Sequence, residues 1–161
     1  MGAPKLLHVA TSAQFWGFLA GQARYAGEHG CEVHAASSPG PGLERLAASD
    51  AVHAWPLPMT RGLTPLADLV ALLRLWRLIR RLGPAVVHAH TPKAGALAML
   101  AARLARVPIR IYSLHGLVWQ SRRGRRRLLQ MALDPLACRA ATVVLAVSPA
   151  VRSAAVSPGL A

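Results

Sequence analysis

The chain has 161 residues, which is enough for one domain with a hydrophobic core and too few for two ordinary domains. With 53% hydrophobic and only 16% charged residues, its composition is that of a globular protein and excludes an intrinsically disordered one. The net charge of +13 favours an anionic partner such as lipid headgroups, nucleic acid or a phosphorylated substrate. The alternative explanation of this positive charge is a GC-rich genome, which favours arginine and alanine codons.

The cysteines and the hydropathy pattern indicate in which cellular compartment the protein is expected. Cys31 and Cys138 are far apart and form no Cys-x-x-Cys motif, which predicts free buried thiols in a reducing compartment. No signal peptide is recognisable, and no uncharged apolar run reaches the roughly 18 residues that a membrane span requires. We therefore expect a cytoplasmic protein.

Short apolar runs alternate with longer segments of helical spacing along the whole chain. The predicted strands are 5–10, 32–37, 52–57, 85–90, 110–115 and 142–148, and the predicted helices are 15–30, 65–83, 93–107 and 124–141. In helix 65–83 the predicted buried stripe is Leu69, Leu72, Leu73, Trp76 and Ile79. Strands that alternate with helices predict one α/β domain, a Rossmann-like, doubly wound parallel sheet with both faces covered.

Ligands of such a sheet bind beyond the carboxyl ends of the strands, where the strand order reverses between strands 1 and 4. The loops 11–17 and 90–95 are therefore predicted neighbours, and the loop 115–120 after strand 5 is the next one. None of them carries the G-x-G-x-x-G dinucleotide fingerprint, and the chain has no G-x-S-x-G or P-loop motif. Dehydrogenases, α/β-hydrolases and P-loop nucleotidases are disfavoured.

The stretch "VVHAHTPKAG" (86–95) ends strand 4 with two histidines on one face of the strand. A His-x-His pair can chelate zinc, but a site needs a third or fourth ligand, and none of the six acidic residues lies in these loops. We therefore expect no metal site. His88, deeper in the strand, is predicted to be a packed or hydrogen-bonded core residue, whereas His90 at the strand's end is predicted to contact a ligand.

The residues after His90 predict a helix start. Thr91 is a candidate N-cap and Pro92 a first helical residue, so that free N–H groups and Lys93 would form a small anion site. Gly95 would allow a ligand or backbone to come close. The alternative is an ordinary capped helix with a solvated lysine.

The sequence resembles the N-terminal half of family 4 glycosyltransferases of GT-B fold, in particular those of bacterial capsule, exopolysaccharide and lipopolysaccharide assembly. The resemblance runs from Lys5 to about Arg152, and its motifs include "KLLHVATSAQ", "VVHAHTPKAGALAML", "RIYSLHG" and "RRLLQMALDPLACRAATVVLAVSPAVR". It implies a retaining transfer from a nucleotide diphosphate-sugar to a saccharide or lipid-linked acceptor, without a metal or other cofactor. The acceptor would be held mainly by this domain.

In such enzymes a second Rossmann-like domain with a Glu-x7-Glu motif holds the donor nucleotide. No two glutamates of this chain are eight positions apart. We therefore expect residues 1–161 to be the acceptor-binding domain alone, inactive without a C-terminal donor-binding domain supplied elsewhere. The alternative is a non-catalytic subunit that docks on a separate donor-binding domain and recruits it to a membrane.

The resemblance also implies site residues. His115 in "LHG" corresponds to the family's active-site histidine, Gly116 keeps the backbone close to the donor, and His90 helps to position acceptor or donor. The loop after strand 1 is often Gly-Gly-rich in relatives, and here Gly17 is its only glycine.

Five arginines precede or begin the helix 124–141. Basic residues at the start of an amphipathic helix suit an anionic membrane surface, which would make the protein peripheral on the inner face of the plasma membrane. The five arginines are Arg122, Arg123, Arg125, Arg126 and Arg127. The alternative to a membrane contact is a solvated arginine turn. No helix-turn-helix, zinc or stacking-aromatic motif supports nucleic-acid binding.

Overall fold

The computed structural model describes residues 2–49, 52–60, 62, 64–116 and 124–156. Within them, six parallel strands form one sheet in the order β3-β2-β1-β4-β5-β6. The strands are β1 (Lys5–Val9), β2 (Glu32–Ser37), β3 (Val52–Pro56), β4 (Val86–Ala89), β5 (Ile109–Leu114) and β6 (Val143–Ala146). All six predicted strands and the doubly wound parallel sheet are confirmed.

Helices connect the strands and cover both faces of the sheet. They are a 3-10 helix (Ala13–Phe18), α1 (Ala20–Glu28), α2 (Pro41–Ser49), α3 (Pro65–Leu82), α4 (Pro92–Leu104), α5 (Gly124–Ala140) and α6 (Pro149–Val156). The predicted helices 65–83, 93–107 and 124–141 are confirmed, whereas the predicted helix 15–30 is divided into the 3-10 helix and α1. The helices α2 and α6 were not predicted because each has fewer than ten residues and shows too little periodicity. In the part of the chain that the structure describes, no helix is long and apolar enough to traverse a membrane.

The core lies in two layers, one on each face of the sheet. On the first face, Leu7 and Val9 of β1 and Val87 and Ala89 of β4 are fully buried in a cluster that includes residues of α3 and α4. We call this the apolar face. On the other face, residues of the 3-10 helix, α1 and α2 pack on β2 and β3 in a second, smaller cluster.

The predicted buried stripe of α3 is wrong in part. The fully buried residues are Ala71, Leu75 and Ile79, whereas Leu69 and Leu73 are exposed. Leucines occur on every side of this helix, so that counting large apolar residues does not identify the face that meets the sheet. Gly83 ends the helix as expected, with a left-handed φ of 60° and its N–H donated to the Ile79 carbonyl.

The carboxyl ends of β1 and β4 meet at the point where the strand order reverses. In the register of this pair, His8 lies opposite His88 and Val9 opposite Ala89. The backbone continues this contact beyond the strands, because the N–H of His90 donates to the Val9 carbonyl. The predicted neighbourhood of the loops after strands 1 and 4 is confirmed. Both cysteines are free, and each is half-buried rather than buried.

Candidate active site

Three histidines, one in β1, one in β4 and one directly after β4, pack together at the point where the strand order reverses. The ring centroids of His88 and His90 are 4.0 Å apart, and the His8 ring lies 5.2 Å from each of them. All three side chains are buried. We call His8, His88 and His90 the histidine cluster. The alternation of a β-strand accounts for it, since the apolar side chains of the same strands point to the opposite face.

His88 is the hydrogen-bonded core residue that its depth in the strand predicted. Its Nε2 lies 2.7 Å from the Ser113 hydroxyl of β5, and its side chain is buried. Burial, with a smaller contribution from the nearby His115, lowers the pKa of His88 to about 4. The imidazole is therefore neutral at neutral pH.

His90 lies deeper than the sequence predicted. Only 2% of the residue is exposed, and Nε2 lies 2.9 Å from Nδ1 of His8 while Nδ1 lies 3.4 Å from Nε2 of His115. Burial, and then the neighbouring histidines, lower the pKa of His90 well below its ordinary value. The residue thus supports His115 from behind instead of forming the surface that meets a ligand.

His115 is the exposed member of this group and follows β5 directly. The Phe15 ring of the 3-10 helix packs edge-on against His115, with centroids 4.9 Å apart, and also contacts the ring of His90. Partial burial lowers the pKa of His115. Gly116 has a φ of 146°, which favours glycine and lets the chain turn after the histidine. A neutral imidazole is thus presented at the carboxyl edge of the sheet.

Thr91 precedes α4 at the N-cap position, but its side chain makes no capping hydrogen bond. Its hydroxyl instead accepts the N–H of Thr11 at 3.1 Å and lies 2.7 Å from the Thr11 hydroxyl. This pair joins the loop after β1 to the loop after β4. The side-chain cap predicted for Thr91 is therefore wrong, whereas the start of the helix at Pro92 is confirmed.

Lys93 does not offer a free cation to a ligand. Its Nζ lies 2.5 Å from Oδ1 of Asp68 in α3, donates to the Thr60 hydroxyl at 2.9 Å and also donates to the Gly62 carbonyl. The side chain is 6% exposed. The predicted anion site depended on the positive charge of Lys93. Asp68 already compensates that charge in a buried ion pair.

The two remaining glycines of the predicted site have other surroundings. A Cβ at Gly95 would lie 2.3 Å from the Tyr112 ring, so this glycine allows α4 to pack on β5 and the expected close approach is by a side chain of the sheet, not by a ligand. Gly17 is exposed in the 3-10 helix, with open space around the position of a Cβ. Nothing in the structure requires a glycine there.

A pocket of about 520 Å³ opens beside this edge, between the loop after β1 and the start of α2. Its lining includes Thr11, Gln14, Gly40, Gly42 and Arg45. A Cβ at Gly42 would lie 2.0 Å from the Ala13 carbonyl, so a glycine is required for the two segments to meet. Arg45 is exposed and adds a positive charge to the pocket.

The predicted membrane-facing arginines are only partly covered by the structure. Arg122 and Arg123 lie outside the described residues, and Arg125, Arg126 and Arg127 lie in the first turn of α5. Their contact with a membrane stays a prediction.

Sequence reasoning missed four residues of this region. His8 could have been found, because strand 1 neighbours strand 4 in the predicted order and His8 sits in the middle of its run. Phe15 lies in a loop that was predicted to border the site, but its aromatic ring was not assigned a role. Asp68 and Ser113 carry no signal in the sequence, since each acts through one partner that only the fold brings close.

A family model supports the sequence resemblance. The model for Glycosyltransferase Family 4 matches residues 4–159. The chain belongs to glycosyltransferase family 4. The fold agrees with this assignment. The chain is similar to a crystal structure of Anabaena Alr3699/HepE in complex with UDP and glucose, with a TM-score of 0.71 and 18% sequence identity. The match covers 97% of this chain and 41% of the Anabaena chain.

Two curated relatives are sugar transferases by name. The chain is 29% identical over 157 residues to the capsular polysaccharide biosynthesis glycosyltransferase CapM of Staphylococcus aureus. This match covers 98% of the chain and 40% of the relative. A second match, 34% identical over 73 residues, is to the UDP-Gal:alpha-D-GlcNAc-diphosphoundecaprenol alpha-1,3-galactosyltransferase of Escherichia coli, covering 45% of the chain and 19% of that enzyme. The chain thus spans less than half the length of either relative.

Proposed function

We propose that this chain is the acceptor-binding domain of a retaining glycosyltransferase. In this proposal the enzyme transfers a sugar from a nucleotide diphosphate-sugar to a saccharide carried on a lipid diphosphate. The observation that carries it is the exposed His115, which the buried His90 and the ring of Phe15 hold at the carboxyl edge of β5. Family membership and the lipid diphosphate acceptor named for the Escherichia coli relative support this substrate class.

The chemistry assigned to His115 follows from its protonation state. In sugar transfer the bond from the anomeric carbon to the diphosphate oxygen breaks, the acceptor oxygen bonds to that carbon, and the acceptor proton passes to the departing diphosphate. Because partial burial lowers its pKa, His115 is neutral at neutral pH and can donate one N–H to the donor sugar or diphosphate. Such a fixed donor stabilises the charge that develops in the transition state.

The acceptor has a candidate place in the pocket between the loop after β1 and α2. Arg45 supplies a positive charge there for an acceptor diphosphate, and Thr11 borders both the pocket and the contact with Thr91. The donor nucleotide would be held mainly by a C-terminal domain, as the resemblance implies. We propose that this domain completes the cleft that His115 faces.

The test is the turnover of a complete enzyme in which this chain replaces the matching N-terminal region of CapM. We expect His115→Ala to reduce turnover by about 10²–10³-fold, the usual cost of removing one transition-state hydrogen-bond donor. His53→Ala is the matched control, because this histidine is exposed on β3 at the other side of the sheet, and it should leave turnover unchanged. Equal turnover of the two variants would refute the role of His115.

Membrane contact through the arginines at the start of α5 is a separate proposal. The lipid-linked acceptor named for the Escherichia coli relative and the charge of +13 support it. The chain should then sediment with vesicles that contain anionic lipid and much less with neutral vesicles. Equal sedimentation with both kinds of vesicle would reject the proposal.

A further inference from the structure

We propose that one ring nitrogen from each of His8, His88 and His90 binds a divalent metal ion of the zinc class. The sequence argument against a metal rested on a missing third ligand. His8 supplies that ligand, since it lies opposite His88 in the register of β1 and β4. The site would lie directly behind His115, at the edge of the sheet where the strand order reverses.

The three side chains are close enough to share one ion. One possible ligand atom from each residue can be chosen so that all three lie within 4.8 Å of one another. Nitrogens bound to the same tetrahedral zinc ion are about 3.3–3.4 Å apart, given Zn–N bonds of about 2.0–2.1 Å. Rotation of the rings would have to bring the ligand atoms closer together than they are in this structure.

Neighbouring residues already orient two of the rings as metal ligands require. The Ser113 hydroxyl lies 2.7 Å from Nε2 of His88, which leaves Nδ1 of that ring for a metal. The Nε2 atom of His115 lies 3.4 Å from Nδ1 of His90. The Nε2 atom of His90 faces Nδ1 of His8 at 2.9 Å, so a bound metal ion would replace this contact. A hydrogen bond on the second ring nitrogen is the usual support of a metal-bound histidine, because it sets the tautomer and the ring orientation.

His8 provides an independent observation. Its side chain is 1% exposed, and its Nε2 is buried without a hydrogen-bond partner among the described residues. An imidazole buried with an unsatisfied nitrogen destabilises the folded state. Coordination by the lone pair of this ring offsets that cost, which gives a physical reason for a histidine in the middle of a buried strand.

The ligand chemistry of the cluster indicates the class of metal ion. A ligand set of imidazoles alone selects zinc, copper, nickel or cobalt over magnesium and calcium. Three such ligands leave a fourth position for water or an anionic group.

The test uses the purified, tag-free chain stripped of metal, with Co²⁺ as a spectroscopic probe and Zn²⁺ as its competitor. We expect one equivalent of Co²⁺ to produce the visible absorption of a tetrahedral site, and Zn²⁺ to abolish it. His8→Gln and His88→Gln should weaken binding by more than tenfold. Zn²⁺ should raise the Tm of the unmodified chain but not that of these two variants.

Two further variants keep the proposal falsifiable. Ser113→Ala removes only the support of His88 and should weaken Co²⁺ binding by about 10–100-fold with the fold intact, which circular dichroism verifies. His53→Ala, which removes an exposed histidine near Glu32 and His34, should bind as the unmodified chain does. The proposal is overturned if the unmodified chain binds no Co²⁺ saturably, if Ser113→Ala binds as well as the unmodified chain, or if His53→Ala loses binding.

Discussion

The two faces of β1 and β4 differ in chemistry although their residues alternate along the same strands. On the apolar face, Leu7 and Val87 are fully buried beneath α3 and α4. One residue further along each strand, His8 and His88 are just as deeply buried but pack against other histidines. The apolar face gains stability from burial at about 25 cal/mol per Å², whereas each buried imidazole must find a partner to avoid a cost.

This difference assigns different roles to the two faces. Within the histidine cluster, His90 contacts His115 from behind. The buried side chains of the apolar face instead pack against α4 and hold this helix on the sheet. Substitutions on the apolar face should therefore change stability, and substitutions around His115 should change activity. Three polar or tightly packed features on the apolar side test this division.

The largest effect is expected at the ion pair of Lys93 and Asp68. Lys93→Met leaves a carboxylate that is only 16% exposed without its cation, and we expect a loss of about 3 kcal/mol in the free energy of unfolding. Urea denaturation measures it. The double variant Lys93→Met/Asp68→Leu should recover part of the loss, because neither charge remains buried alone.

The control for this experiment is Lys5→Met. Lys5 and Glu32 form a 4.0 Å pair whose side chains are both about one-third exposed, and such pairs contribute little. Similar losses for Lys5→Met and Lys93→Met would contradict the account of Lys93 as a buried structural cation.

A smaller effect is expected at Gly95. In Gly95→Ala the new methyl group meets the Tyr112 ring at 2.3 Å, and overpacking of this kind costs about 1–3 kcal/mol. In Gly21→Ala, the matched change in α1, the Cβ meets open space, and the higher helix propensity of alanine should stabilise the chain by up to about 1 kcal/mol. Thermal unfolding of the two variants compares them. Stabilisation by Gly95→Ala would show that α4 and β5 are not closely packed.

The smallest effect is a pH dependence at Asp134. Oδ1 of this buried carboxyl accepts the Tyr112 hydroxyl at 2.7 Å, and Oδ2 has no hydrogen-bond partner among the described residues. Burial raises the pKa of Asp134, although the hydrogen bond from Tyr112 opposes the shift. The neighbouring Tyr112 phenol and Cys138 thiol also have raised pKa values, that of Cys138 to about 11, so both are neutral at neutral pH.

The sign follows from the raised pKa. The folded state holds its proton to a higher pH than the unfolded state does, so the stabilisation is complete below the unfolded value near 3.8 and decreases as pH rises through the folded value. Asp134→Asn removes this dependence. The unmodified chain should therefore lose stability relative to Asp134→Asn as pH rises above the unfolded value near 3.8, as measured by urea denaturation at several pH values. A relative gain over the same range would contradict the raised pKa.

Much of the fold could be predicted from the sequence, for a physical reason. Strands buried on both faces must be short and apolar, so "KLLHVA" or "TVVLAVS" is recognisable without neighbours. The face of α3 was not predictable in the same way, because leucines surround the helix and the small Ala71 lies on the buried side. The short α2 was missed because nine residues contain too few turns for a period to emerge.

The site was predictable only where topology alone brings residues together. The order of parallel strands placed the loops carrying Thr11 and Thr91 side by side, and it placed His115 next to His90. Contacts between individual side chains could not be predicted from the sequence. Lys93 of α4 pairs with Asp68 of α3, and Gly95 of α4 packs against Tyr112 of β5. Both residues suggested a ligand in the sequence, but in the structure they hold α4 against its neighbours.

The most direct test of the acceptor-binding assignment is a comparison of two ligands on the chain itself. Calorimetry would measure binding of a short-chain lipid diphosphate that carries N-acetylglucosamine, and of the corresponding nucleotide diphosphate-sugar. We predict saturable binding of the lipid diphosphate saccharide, weakened at least tenfold by Arg45→Ala, and much weaker binding of the nucleotide sugar. Tighter binding of the nucleotide sugar would contradict the assignment and would make this domain the donor side of the enzyme.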